Sequence, residues 1–199
     1  MNTITNGLLA CLQQAKVAGV LDIQAFMAYM EPLYHQAGYR NRPALEKRLK
    51  ILVSHDSGIG DFVNCSAALR ELRRVYPQAE ITLLIYPRCI ELAQACPYID
   101  HLLTNPRACR WDSPLELYTW ALQFAGKYLL PHHFDMTFSF DLYGSSLLLE
   151  YMSGAPIRVG YSAGHIPLPL ESPTMPAYPC CLCRSPTIMY MVCIPWTPT

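Results

Sequence analysis

The sequence lacks an excess of charge of either sign. Among its 199 residues, 15 are Lys or Arg and 15 are Asp or Glu, so the formal net charge is zero. A protein that binds nucleic acid without sequence preference needs a basic surface that neutralises phosphate groups. The balanced charge therefore argues against nucleic acid as a partner.

Long apolar runs are also missing, and none approaches the roughly 20 residues that a membrane-spanning helix requires. The first residues, Met1–Asn6, contain no Lys or Arg, so they lack the basic segment with which a signal peptide begins. These two absences predict a cytoplasmic protein.

The nine cysteines lack the two-pair spacing that is typical of a zinc ribbon. Their densest group is Cys180-Cys-Leu-Cys183 with Cys193 beyond it, which is a weak candidate for holding a metal ion. The cysteines from Cys11 to Cys109 show no informative spacing, and buried free thiols in a reducing compartment are the more usual case. We predict neither a metal site nor a cofactor.

Three segments follow one another along the chain. Residues 1–47 carry apolar side chains at three- and four-residue spacings, which predicts a helical arm that serves packing or oligomerisation. Residues 48–164 alternate apolar runs with amphipathic stretches, which predicts an α/β domain with a Rossmann-like, mostly parallel open sheet. Residues 165–199 hold eight of the 17 prolines, which predicts an irregular, poorly ordered tail.

Apolar runs bounded by turn residues mark the strands of the predicted sheet. The five predicted strands are Lys50–Ser54, Glu80–Tyr86, Ile99–Thr104, Phe134–Phe140 and Ile157–Tyr161. The helices between them are expected from Asp61 to Pro77, from Pro87 to Ala95, from a Ser113 cap to Leu130, and from Ser145 to Met152.

A glycine turn joins the first strand to its helix, with the sequence Gly58-Ile-Gly-Asp61. Ligand sites in open α/β sheets form at the carboxyl ends of the strands, so Asp61 is the first candidate for chemistry. From spacing alone, its residue type and position favour a helix cap, a role that is compatible with catalysis. The turn lacks the third glycine of a dinucleotide-binding fingerprint, which argues against an NAD site.

Residues 49–162 resemble the N-terminal half of family 9 glycosyltransferases, the ADP-heptose:lipopolysaccharide heptosyltransferases, in the order and spacing of several motifs. The motifs are Gly58-Ile-Gly-Asp61 with Ala68-Leu-Arg-Glu-Leu72, Tyr76-Pro-Gln-Ala-Glu-Ile-Thr-Leu83, Cys96-Pro-Tyr-Ile-Asp-His101, Phe134-Asp, Asp141-Leu-Tyr-Gly-Ser145 and Ser153-Gly-Ala-Pro-Ile-Arg-Val-Gly-Tyr161. Each motif alone is loose, and their succession over more than a hundred residues carries the resemblance.

The resemblance implies one half of a GT-B fold, in which two Rossmann-like domains face each other across a cleft. It also implies an inverting transfer from a nucleotide-diphosphate sugar, such as ADP-heptose, to a glycan or lipid-linked glycan, without a metal ion. This half would receive the acceptor, and Asp61 would act as the general base. It further allows peripheral association with the inner face of the membrane.

Five further residues are candidates for binding the acceptor. Gly58 and Gly60 let a ligand approach the backbone because they have no side chain. His55 and Asp56 either hydrogen-bond the acceptor or are solvated loop residues. Asp141 either contacts the acceptor or forms a cap or turn before the next helix.

Two departures separate the chain from the family pattern. Ala67 stands where the family commonly has proline, which is a minor change because Ala favours helix. The donor-binding domain, roughly 150 residues by ordinary domain size, is missing from the sequence. We therefore expect an incomplete copy with negligible activity on its own and a tendency to self-associate through its exposed cleft face. The alternative is a non-catalytic α/β module that binds a glycan or a protein partner.

Overall fold

The computed structural model describes residues 3–18, 22–41, 48–106, 114–140, 144–162 and 190–191. Its centre is an open sheet of five strands in the order β3-β2-β1-β4-β5, and every pair of neighbours is parallel. The strands are β1 Lys50–His55, β2 Glu80–Ile85, β3 His101–Thr104, β4 Met136–Ser139 and β5 Ile157–Val159. The prediction of a Rossmann-like, mostly parallel sheet is confirmed.

Helices connect the strands and cover both faces of the sheet. They are α1 Thr3–Ala18, α2 Ile23–Gln36, α3 Ile59–Val75, α4 Ile90–Gln94, α5 Pro114–Phe124 and α6 Gly144–Met152. A 3₁₀ turn at Pro87–Cys89 precedes α4. Because the chain crosses from β3 to β4 on the far side of β1, the carboxyl ends of β1 and β4 meet where the strand order reverses. Ligands bind at that point in open α/β sheets.

Each face of the sheet has its own apolar core. One core contains side chains of α3 and of the strands, among them Phe62, Leu69 and Ile81. The other contains side chains of α5 and α6 together with Leu8 and Met30 from the first two helices. Strands buried on both faces are continuous apolar runs rather than alternating ones, which explains why β1 and β2 could be recognised in the sequence.

The predicted helical arm packs directly onto the sheet domain. Gly126 permits this approach, since a Cβ atom built there would lie 2.6 Å from the Thr5 Oγ1 atom of α1. At that point the helix predicted to run to Leu130 leaves the α-helical path and continues as the π turn Ala125–Leu129.

Polar side chains also attach the N-terminal helices to the domain. Arg40 is 3% exposed, and its guanidinium donates two hydrogen bonds to the Glu31 carboxylate, at 2.9 and 3.1 Å. It also donates to two backbone carbonyls at 3.1 Å, that of Tyr151 in the last turn of α6 and that of Ala155 beyond its end. These bonds connect residues that are more than a hundred positions apart in the chain.

Most of the predicted irregular tail lies outside the described residues. Its described part is Tyr190–Met191, which pairs antiparallel with Tyr161–Ser162 as a two-stranded sheet. The metal candidate formed by Cys180-Cys-Leu-Cys183 and Cys193 lies outside the described residues as well.

Candidate functional site

The glycine turn lies at the carboxyl edge of β1 and leads directly into α3. Gly58 is the N-cap residue of α3, with φ −75° and ψ 175°, and its carbonyl accepts the first helical hydrogen bond from Phe62 at 3.0 Å. Asp61 lies inside the first turn, so the interpretation of Asp61 as the cap residue is wrong. Its position in that turn still places a carboxylate near the positive end of the helix dipole, which stabilises its charge.

Both glycines of the turn face open space. A Cβ atom at Gly60 would meet nothing within 4 Å, and one at Gly58 would come no nearer than 3.8 Å to Asp61 Oδ2. Internal packing therefore does not demand glycine at either position. The absence of side chains keeps the space over the turn free for a ligand to reach the backbone.

Asp61 is exposed, in contrast to Cys89 on the neighbouring segment. Cys89 is buried behind the turn, and its thiol donates to the Ser57 carbonyl at 3.7 Å. Burial and the nearby charge of Asp61 together raise the pKa of the Cys89 thiol. The carboxylate of Asp61 thus contributes to the raised pKa of Cys89 while it stays accessible to solvent and to a ligand.

Asp56 anchors the base of the turn. Its side chain is 5% exposed, and its Oδ2 atom accepts hydrogen bonds from Asn105 Nδ2 at 2.7 Å and from Ser146 Oγ at 2.9 Å. Asn105 follows β3 and Ser146 lies in α6, so this one carboxylate joins three segments at the same edge of the sheet. The interpretation of Asp56 as a solvated loop residue is wrong.

His55 is the last residue of β1 rather than a loop residue, and it is 1% exposed. Its Nδ1 atom lies 3.5 Å from Cys65 Sγ in α3, and its ring packs against Phe62 with centroids 5.7 Å apart. The interpretation as a solvated loop residue is therefore wrong for His55 too. Direct contact of His55 or Asp56 with an acceptor stays a prediction, and Asp141 lies outside the described residues.

Sequence reasoning missed several members of this site. Asn105 had a readable signal, because it is a polar residue directly after a predicted strand at the edge where sites form. Glu150 had none. It lies in α6, is 2% exposed, and accepts hydrogen bonds from Ser54 Oγ at 2.5 Å and from Thr137 Oγ1 at 3.4 Å.

An apolar groove of about 380 Å³ lies elsewhere on the molecule, between α3 and the ends of β4 and β5. Its lining begins at Ala68, about 10 Å along the helix from Asp61 at 1.5 Å per residue. It contains none of the predicted site residues. Among the described residues, no group of three or more His, Cys, Asp or Glu side chains is placed to hold a metal ion.

Replacing Asp56 by alanine is expected to lower the free energy of unfolding by about 2–4 kcal/mol, because buried Asn105 and Ser146 lose their shared charged acceptor. Chemical denaturation of the purified protein measures this loss. Asp22→Ala is the control, since Asp22 also accepts a hydrogen bond, from the Ala25 N–H, but at an exposed helix cap. An Asp56→Ala protein as stable as the Asp22→Ala protein would contradict the anchoring role.

None of the helices that the structure describes has both the length and the apolar character needed to cross a membrane. Neither a protein-family model nor a curated protein sequence matches the chain.

Two solved structures are similar to the chain in fold. One is a family 9 glycosyl transferase from Veillonella parvula, with a TM-score of 0.50 and 24% identity over 68% of this chain and 37% of that one. The other is ADP-heptose lps heptosyltransferase II of E. coli, with a TM-score of 0.45 and 23% identity over 56% of this chain and 30% of that one. The predicted resemblance is confirmed at the level of the fold. The chain thus spans about a third of the length of each of these structures.

Proposed function

We propose that this chain forms the acceptor side of an inverting glycosyltransferase and that Asp61 is its general base. The observation that carries the proposal is the placement of Asp61. Its exposed carboxylate lies in the first turn of α3, at the carboxyl edge of the central strand, next to two glycines that face open space. The similarity in fold to a family 9 glycosyl transferase supports the assignment.

The proposed reaction needs a base at one defined point. A hydroxyl of the acceptor attacks the anomeric carbon of the donor sugar and loses its proton to the carboxylate of Asp61. The bond between that carbon and the diphosphate breaks on the opposite side, so the configuration inverts. A carboxylate on a rigid helix terminus suits this task because its position changes little while the acceptor approaches.

The remaining candidates divide into two groups by their accessibility. Gly58 and Gly60 give the acceptor access to the backbone of the turn. His55 and Asp56 are buried, so we assign them to the support of the strand end that leads into the turn rather than to the acceptor. We assign Asp141, after the fourth strand of the sheet, to the acceptor as well.

The proposed donor is a nucleotide-diphosphate sugar such as ADP-heptose, and the proposed acceptor is a glycan or lipid-linked glycan. In a GT-B arrangement a second domain binds the donor and closes over this edge of the sheet. Two large apolar side chains beside Asp61 suit such a covered face, since Ile59 is 56% and Val63 is 54% exposed. Self-association through the same edge and peripheral attachment to a membrane stay predictions.

The second candidate is a non-catalytic module that binds a glycan or a protein partner at this edge. The same exposure of Ile59 and Val63 favours it, because apolar side chains at the rim of an open turn are typical of contact surfaces. This candidate needs neither a donor site nor a base.

An NMR titration with two ligands tests the proposal. A heptose-containing oligosaccharide is expected to shift the backbone amide signals of Gly58, Gly60 and Asp61. ADP-heptose is expected to give no saturable shift of these signals, because the proposed site is the acceptor side. Saturable binding of ADP-heptose would contradict the acceptor-side assignment. Unchanged amide signals in the presence of both ligands would favour the module that binds a protein partner.

A further inference from the structure

A thiol in α3 and an imidazole at the end of β1 lie together, in a contact that the proposed transfer does not use. Cys65 Sγ lies 3.5 Å from His55 Nδ1, within hydrogen-bonding reach for sulphur. The imidazole has little freedom to move away, because His55 is 1% exposed and its ring packs against Phe62. An imidazole held beside a thiol favours the thiolate, which is the reactive form of cysteine.

Cys65 as a residue is partly exposed to solvent. Cys65 is half-buried, whereas Cys89, the other cysteine near the turn, is buried and has its pKa raised by burial and by the charge of Asp61. Cys11 and Cys96 are half-buried like Cys65. Among the described residues, Cys65 is the cysteine whose sulphur contacts a histidine nitrogen.

Cys65 also lies close to the proposed base. It follows Asp61 by four residues in α3, and side chains at this spacing lie on the same helix face about 5–6 Å apart. A group attached to Cys65 would therefore stand next to the carboxylate of Asp61.

We propose that Cys65, paired with His55, is a thiol modification site that reacts with low-molecular-weight disulfides and other soft electrophiles. The proposal rests on the contact between sulphur and imidazole and on the exposure of Cys65. It does not depend on the proposed glycosyl transfer. Where transfer does take place, modification of Cys65 blocks the acceptor side by occupying the space beside Asp61.

The reaction with a small disulfide balances without a further oxidant. His55 takes the proton of the Cys65 thiol, and the thiolate attacks one sulphur of the small disulfide. A new S–S bond forms to that sulphur while the original S–S bond breaks. The second sulphur leaves as a thiolate and receives the proton from the imidazolium, so Cys65 is oxidised to a mixed disulfide and half of the small disulfide is reduced to a thiol.

Competitive alkylation of the purified protein tests the pair. With limiting iodoacetamide at pH 7, peptide mass spectrometry is expected to show that Cys65 is alkylated roughly tenfold faster than Cys96. Cys96 is half-buried as well and contacts no histidine among the described residues. Oxidised glutathione is expected to form its mixed disulfide at Cys65 before it does so at Cys96. A Cys65 that reacts no faster than Cys96 with either reagent would overturn the proposal, and this comparison needs no variant.

A variant then shows whether His55, rather than the exposure of Cys65, causes the reactivity of Cys65. In His55→Gln, checked by circular dichroism for an intact fold, the alkylation rate of Cys65 is expected to fall to that of Cys96. The rates of Cys11 and Cys96 in the same sample serve as internal controls. A folded His55→Gln protein in which Cys65 stays as reactive as before would overturn the pairing.

Discussion

Replacing Arg40 by methionine is expected to lower the free energy of unfolding by about 3 kcal/mol, measured by chemical denaturation at pH 7. Removing one partner of a fully buried ion pair costs about 3–5 kcal/mol, since it leaves a charge uncompensated. Here the Glu31 side chain is 33% exposed, so water offsets part of the loss and the lower end of that range applies. The carbonyls of Tyr151 and Ala155 lose their donor as well.

Methionine is a suitable replacement because it fills much of the space of the arginine stem without a charge. The guanidinium of Arg40 also lies over the rings of Tyr34 and Tyr151, at 5.0 and 4.7 Å from their centroids. An apolar side chain keeps contact with those rings. The expected loss therefore reports the missing charge and hydrogen bonds more than a cavity.

The matched control is Arg74→Met, which removes an arginine from an ion pair at the surface. Arg74 contacts Glu71 at 2.7 Å, but its side chain is 71% exposed, so water replaces the lost contact and stability should change little. Equal stability of the Arg40→Met and Arg74→Met proteins would contradict the view that Arg40 fastens the N-terminal helices to the domain.

The pH dependence of the Arg40→Met effect follows from Glu31. Burial alone would raise the pKa of this carboxyl, but the charge of Arg40 and the hydrogen bonds from Tyr151 and Arg40 outweigh it and hold the pKa below the ordinary value of 4.5. A carboxyl with a lowered pKa in the folded state contributes stability above its unfolded pKa, and that contribution is lost as the pH falls through the folded value.

Without Arg40, the pKa of Glu31 in the folded state rises above its wild-type value, because the largest influence that opposes burial is lost. The stability that the lowered pKa contributes above the unfolded pKa is therefore reduced in the variant. The difference in unfolding free energy between wild type and Arg40→Met should therefore be largest near neutral pH and shrink as the pH falls toward 4.5 and below. A difference that stays constant between pH 7 and pH 4 would contradict the role of the ion pair.

Local sequence patterns sufficed to predict the sheet and the position of the glycine turn. A strand buried on both faces is a continuous apolar run, and a turn needs its glycines within a few residues, so both features are visible in a short window. The end of α5 was predicted less well. The departure into a π turn at Ala125–Leu129 lies where Gly126 meets Thr5, far away in the sequence.

Local sequence patterns could not predict the hydrogen-bond partners of Asp56. Asn105 and Ser146 are 49 and 90 positions away, and they meet Asp56 only because the strand order places their segments at one edge. The cap of α3 was assigned wrongly for a different reason. Gly58 and Asp61 are both acceptable cap residues by type, and the choice depends on where the chain turns out of β1.

Changing Asp61 to asparagine is expected to reduce glycosyl transfer roughly a hundred- to ten-thousand-fold, which is the usual contribution of a general base. Asparagine has almost the same shape and keeps the space over the turn open, but it cannot take a proton from the acceptor hydroxyl. The fold should persist, because the exposed side chain of Asp61 contributes at most about 1 kcal/mol through the helix dipole.

Transfer is measured in a chimera. Residues 48–162 of this chain would replace the matching segment of the Veillonella parvula enzyme, and sugar transfer would be followed with the unmodified enzyme as the positive control. The matched variant is Glu91→Gln, because Glu91 is also an exposed carboxylate in the first turn of a helix that follows a sheet strand. Loss of its charge should leave transfer unchanged.

The chimera also separates catalysis from acceptor binding. If Asp61 acts as the base, Asp61→Asn should lower kcat while the oligosaccharide still shifts the amide signals of Gly58 and Gly60, because the turn itself is unchanged. Weaker acceptor binding with an unchanged kcat would make Asp61 a binding residue instead. Full transfer by Asp61→Asn would remove the base assignment, and the edge of β1 would then be a contact surface without chemistry of its own.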